Sequence, residues 1–333
     1  VAQSLMGTTI NVTLQKGRML AKVPSTNTMF LSNEASYVYM IDMVNNTAVQ
    51  KTSGQTYTGG CHYIPMFNAI VICDTSGGMP AAGRLPLVDP VTGNYNTSYS
   101  LPHPSYYAHE VTNLPGGVKK TYVGTNNGRL IVFIGTDPNF DKDIALPSLT
   151  GVNNYTSPFT QKGTMVYLCN QGSKRLYRID GETDIVVDSV DFQFLIDRVL
   201  YIPARDRLYV SSQSGDIFEV HPETFDFLNV IKLAGAKRPI FMEYDPARDV
   251  IYVTDHGNQT ANSADWGNSV YIVGQNTNTG KAVYTTLRET YTLSLVVRSE
   301  KNNEPLDPDY IPEFDDPTNC AVAVLQLPLF LKV

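Results

Sequence analysis

One segment recurs along this chain. Lys22-Val-Pro-Ser-Thr-Asn-Thr-Met-Phe-Leu-Ser32 aligns without a gap on Tyr63-Ile-Pro-Met-Phe-Asn-Ala-Ile-Val-Ile-Cys73. Residues 159–169, 201–211 and 244–254 follow the same plan, and 113–124 fits with one inserted residue. The copies end at 32, 73, 124, 169, 211 and 254, so the steps run from 41 to 51 residues. A fixed period in this range belongs to repeat architectures, in which one small unit is copied and stacked.

The template has a direct physical reading. An extended apolar stretch runs into Pro24, Pro65, Pro203 or Pro246, where proline withdraws a donor as the ladder ends. Asn27, Asn68, Asp206 or Asp249 follows three residues later, and an Asx side chain there closes a turn. The chain then returns as a short strand of aromatic and β-branched residues. A further strand follows each hairpin: 37–42, 84–89, 129–134, 175–180, 216–221 and 269–273. Turn signals such as Asp89-Pro-Val-Thr-Gly93 and Asp180-Gly-Glu-Thr-Asp184 then lead into a fourth. Four strands per unit of about 40–45 residues predict a β-propeller.

The expected organisation is a single all-β domain over 1–333, with units near 18–55, 56–102, 103–150, 151–192, 193–235 and 236–288. Tail segments 291–297, 320–327 and 328–333, joined by 8–15 from the head, predict a seventh blade from 289–333 plus 8–15. The fold class is thus a seven-bladed β-propeller of four-stranded antiparallel blades, its ring closed by N- and C-terminal strands. Closure removes sheet edges that invite aggregation.

Composition narrows the function. Only 17% of residues are charged and the net charge is −7, which argues against nucleic acid as a partner. No apolar run is long enough to span a bilayer, so no membrane insertion is expected. A chain starting at Val1, with a low-charge surface rich in amides, hydroxyls and tyrosines, fits a secreted, extracellular or cell-surface protein from which a leader has been cleaved. Sequons at Asn11, Asn45, Asn96, Asn154 and Asn258 permit glycosylation.

The signature strand reads Phe30-Leu-Ser-Asn33, Tyr167-Leu-Cys-Asn170 and Tyr252-Val-Thr-Asp255, with degenerate copies ending at Asp74, Thr125 and Ser212. It resembles the YVTN repeat of seven-bladed propellers, related to the lactonase-like propellers. The resemblance extends over most of the chain but is one of architecture, and architecture does not choose a function. It implies a candidate axial metal site. If the signature strands radiate alike, Asn33, Asp74, Asn170 and Asp255 converge at one end of the channel, where oxygen ligands suit Ca²⁺. The plainer reading of each is a turn cap.

Among five histidines none has metal-type spacing, and no nucleophile elbow, Walker loop or Cys/His zinc pattern occurs. His256 opens an insertion that also carries Trp266, and Tyr310 lies in a second long loop. These three are candidate binding residues, because long loops on a rigid scaffold carry function. Residues 300–316 hold seven acidic side chains against Lys301, suited to cations or a basic partner, or simply to solvent. Cys61 and Cys73 lie equidistant from residue 67, so a hairpin centred there would face them for a disulfide. Small residues in the Cys73 and Cys169 slot argue instead for buried thiols.

These readings favour an exported, non-enzymatic structural or binding protein, a glycosylated subunit of a filament or surface assembly. Its partners would be proteins or glycans at the cell surface, or further copies of itself, with no cofactor required. The alternative is a lactonase-like hydrolase using axial Ca²⁺, which would polarise a carbonyl or activate water.

Overall fold

A computed structural model describes residues 8–13, 17–24, 26–33, 37–42, 44–45, 47–52, 60–73, 83–147, 156–170, 174–246, 249–255, 269–274, 279–283 and 292–297. The chain opens with β1 (Thr8–Thr13). Blade A is β2 (Gly17–Lys22), β3 (Thr28–Asn33), β4 (Tyr37–Asp42) and β5 (Thr47–Thr52). Blade B is β6 (Gly60–Ile64), β7 (Ala69–Cys73), β8 (Gly83–Val88) and β9 (Tyr95–Leu101). Blade C is β10 (Ser105–Val111), β11 (Lys120–Thr125), β12 (Arg129–Ile134) and β13 (Lys142–Ala145). Blade D is β14 (Thr156–Lys162), β15 (Met165–Asn170), β16 (Arg175–Asp180) and β17 (Ile185–Asp191). Blade E is β18 (Ile196–Ile202), β19 (Arg207–Ser212), β20 (Asp216–Val220) and β21 (Phe227–Lys232). Blade F is β22 (Pro239–Asp245), β23 (Val250–Asp255), β24 (Ser269–Val273) and β25 (Thr279–Val283). β26 (Thr292–Val297) follows.

Every blade is an antiparallel meander in chain order. The first strands of successive blades touch one another, β2 with β6, β6 with β10, β10 with β14, β14 with β18 and β18 with β22. They therefore line the axis, and the fourth strands form the rim. Among the described residues this is a β-propeller with six four-stranded blades, which corrects the expected seven; the tail segments 320–327 and 328–333 lie outside the described residues. β1 pairs instead with β26 in a two-stranded antiparallel sheet, Thr8 opposite Val297 through Thr13 opposite Thr292. The expectation rested on β-branched runs in the tail, and such runs show that a segment can extend without saying which sheet it joins.

The hairpin chemistry follows the template. Asn68, Asp206 and Asp249 adopt left-handed φ of 44°, 49° and 53°, a region Asx residues tolerate. Each accepts a hydrogen bond from the tyrosine five residues earlier: Tyr63 Oη at 3.1 Å, Tyr201 Oη at 2.9 Å and Tyr244 Oη at 2.7 Å. In two of these units the same carboxylate also ties neighbouring blades, through Lys162 to Asp206 at 2.7 Å and Arg205 to Asp249 at 2.9 Å.

The core is a set of layers between blades. Val71, Leu85, Val123 and Ile131 pack B on C, Tyr122, Leu130, Leu168 and Tyr177 pack C on D, and Val210 and Leu208 join D to E. Equivalent layers lie between A and B and between E and F. Strands buried on both faces need apolar residues at consecutive positions, and all five of β7 are buried.

Between C and D sits a buried ion cluster. Asp184 holds Lys120 Nζ at 2.8 Å and Lys142 Nζ at 2.6 Å and accepts from Tyr122 Oη at 2.6 Å. Burial, then the hydrogen bond to Asp184, pushes the Tyr122 phenol up from its ordinary value.

Candidate functional site

The innermost strands are bulged. The register slips between Ser105 and Tyr107 in β10, Ser157 and Phe159 in β14, Ile196 and Arg198 in β18, and Pro239 and Met242 in β22. A bulge re-aims the side chains around it, which is why bulges accompany functional sites. Opposite Tyr107 and Arg198 the second strands carry Gly124 and Ser211, so the small-residue slot leaves room beside these two large side chains.

Around them a cluster of polar and aromatic side chains comes from five blades, B to F. The Arg198 guanidinium lies over the rings of Tyr107 (5.5 Å) and Phe241 (4.5 Å). The His62 ring sits 4.0 Å from that of Tyr107, and His109 stacks on Phe159 at 5.9 Å. A cleft of about 370 Å³ is bounded by Lys22, His62, Tyr107, His109 and Glu110 among others, within the range of small-molecule sites. Glu110 is committed elsewhere: Oε2 accepts from Met66 N at 2.8 Å and Oε1 lies 3.6 Å from Lys119 Nζ.

Both imidazoles are neutral at neutral pH. Desolvation, then the charge of Arg198 and of His109, lowers His62 to about 3. Desolvation lowers His109 to about 4. Burial raises the Tyr107 phenol, a shift that Arg198 opposes and Glu243 reinforces. His62 Nε2, His109 Nε2 and Arg198 Nε are buried without a hydrogen-bond partner, although most buried polar atoms have one.

Strand register puts His62, His109 and Glu243 at one repeat position, opposite Val71, Tyr122 and Tyr252. In chain terms it directly precedes Tyr63, Glu110 and Tyr244, and the same slot holds Ala21, Thr160 and Leu200. Reading the template one residue further towards its start would have shown His62 and Glu243 at this position, but not His109, because the copy at 113–124 begins after it.

The four proposed metal ligands behave differently. The signature strand is second in each blade, one strand removed from the axis. Asp255 is buried and accepts from the backbone N–H groups of Lys237 (3.1 Å) and Arg238 (2.8 Å), closing the entry to β22. Thr125 Oγ1 takes Arg129 N at 2.9 Å and Ser212 Oγ takes Ser214 N at 3.3 Å, so this position serves turns. Asn170 is fully buried at the end of β15. The Asn33 side chain and all of Asp74 lie outside the described residues. Among the described residues no three His, Cys, Asp or Glu side chains are grouped to hold a metal.

His256, Trp266, Tyr310, Asn154, Asn258 and the acidic run 300–316 lie outside the described residues, as does the Asn11 side chain. Asn45 is exposed after β4, with Nδ2 donating to Asp42 Oδ2 at 2.7 Å, and Asn96 is exposed on β9.

The expected Cys61–Cys73 disulfide is absent. The hairpin pairs Gly60 with Cys73 and Cys61 with Ile72, because the 3₁₀ turn Pro65–Phe67 puts its centre half a residue before 67. The two thiols therefore point to opposite faces of the blade, Cys61 into the A–B layer and Cys73 into the B–C layer. Both are buried, as is Cys169, and burial raises Cys61 to about 12.

No family model matches this chain, and no curated protein does. Solved structures do: a computationally designed protein, Ika8, aligns with a TM-score of 0.53 and 11% identity, over 71% of this chain and 67% of its own. At that identity the likeness speaks to fold alone, and with the six blades it makes this chain a β-propeller.

Proposed function

We propose that this is an exported, non-enzymatic propeller of YVTN-like type that works by contact at its rim, as a self-associating component of a cell-surface or extracellular assembly. One observation carries the reading. On the outermost strands of blades D and E, Ile185 (59% exposed), Val187, Phe227, Leu228 (45%) and Val230 face solvent, with Phe194 between them. Phe192 joins the two strands by an edge-to-face contact with Phe227, ring centroids 5.0 Å apart. The rim of blade C shows the opposite policy, a four-residue β13 reading Lys-Asp-Ile-Ala, short and charged as protected edges are.

A second copy of the chain is the occupant that suits this patch, because an apolar contact between identical surfaces needs no charge complement and the chain carries little charge. Ile185→Lys with Leu228→Lys tests it. Leu228 is a bulged residue outside the strand register, and both side chains point away from the core. Sedimentation should show concentration-dependent association of the natural chain and its loss in the double variant. A natural chain that stays monomeric at every concentration would refute self-association. Peptide mapping by mass of protein from its native source, before and after glycosidase, reports whether Asn45 and Asn96 carry sugar.

A further inference from the structure

We propose that the axial channel binds a small carboxylate-bearing molecule, anchored by the Arg198 guanidinium and flanked by the Nε2 groups of His62 and His109. Arg198 is 8% exposed, its Nε is buried without a hydrogen-bond partner, and among the described residues its guanidinium makes no ion pair. Its guanidinium lies over the aromatic faces of Tyr107 and Phe241. Its neighbour in sequence is treated quite differently: Asp197 is fully paired with Arg238 at 2.9 Å and Gln213 at 3.3 Å. Burying a guanidinium nitrogen without a partner is costly, and an anionic acceptor at the guanidinium would offset that cost. Its planar fork matches a carboxylate.

The surroundings select the class. Each imidazole can turn an Nε2–H toward an acceptor by choice of tautomer. Because both rings are neutral, the site offers one net cation, with Lys22 at the cleft margin and the exposed Glu243 carboxylate near Tyr107 opposing any anion. The Cys61 thiol beside the cleft is neutral as well. That balance fits a monoanion better than a phosphate dianion. The rings of Tyr107 and Phe241 beside Arg198 suit a flat or ring-shaped body behind the carboxylate.

The test is calorimetric titration of the full chain with acetate, benzoate and glucuronate, with inorganic phosphate as the competing anion at matched ionic strength. Saturable binding of benzoate or glucuronate is expected, weakened about tenfold or more in Arg198→Met and a few-fold in His62→Phe or His109→Phe. Nitrogen chemical shifts of the two histidine side chains in the natural protein give a second readout that needs no variant, and both should move on addition of carboxylate. No saturable carboxylate binding, tighter binding of phosphate, or unchanged affinity in a folded Arg198→Met protein would overturn the proposal. Loss of self-association at the rim would leave it standing, since the two sites share no residue.

Discussion

Two buried polar centres in this propeller follow opposite designs. Asp184, between blades C and D, meets two lysines and a tyrosine hydroxyl at 2.6 to 2.8 Å. Arg198, on the axis, meets two aromatic faces, and it and both neighbouring histidines keep a buried nitrogen without a partner. A completed network fixes how two blades sit, whereas an incomplete one costs stability in every unliganded molecule. The contrast separates a joint from a site.

The comparison breaks most readily at the joint. Asp184→Ala leaves Lys120 buried and uncompensated, so urea denaturation should show a loss of about 3–5 kcal/mol. Carboxylate titration of whatever remains folded should be unaffected, and a loss below about 1 kcal/mol would make the cluster ornamental.

Acid addresses the axial centre. His62 and His109 have folded values of about 3 and 4, below the 6.5 of the unfolded chain, so unfolded molecules take up protons first as the pH falls. Their contribution is complete above pH 6.5 and is lost as the pH drops through the folded values. Denaturation at stepped pH should show a decline on the order of 2 kcal/mol, less than the shifts alone imply because the cleft admits water. The double variant His62→Phe, His109→Phe should flatten that slope. An equal slope in the variant would assign the acid sensitivity to carboxylates elsewhere.

The smallest effect is expected at the hairpin latch. Tyr244→Phe removes the hydroxyl donated to Asp249 and should cost about 1 kcal/mol by thermal or chemical denaturation. Arg205 remains on that carboxylate, so the E–F contact should persist. A cost equal to that of Asp184→Ala would erase the distinction between a local turn and a joint between blades.

How far the residues themselves announce these features depends on range. The propeller and its four-stranded units, repeated six times, and the Tyr–Pro–Asx hairpins of three of them are legible because each rests on residues within a few positions of one another. Blade number was misjudged at the ends, where only strand propensity was available and the pairing of β1 with β26 spans nearly the whole chain. The cysteine pairing failed by one residue, because a 3₁₀ turn moved the hairpin centre and alternation did the rest. The turn at 180–184 is visible as a turn. That its last residue is a buried carboxylate is not visible, since Lys120 stands 64 positions away.

The axial site shows the same division. The sequence alone determined that a slot before the template tyrosine holds His62 and Glu243, and that a separate slot near the template's end stays small at Gly124 and Ser211. Only the tertiary structure decided that first strands line the axis, that their bulges aim Tyr107 and Arg198 inward, and that these partners come from different blades. The physical reason is that hydrogen-bonded hairpins are encoded by neighbours along the chain. A site on the axis exists only once the blades have packed, and burial then decides which of its polar atoms are left unpaired.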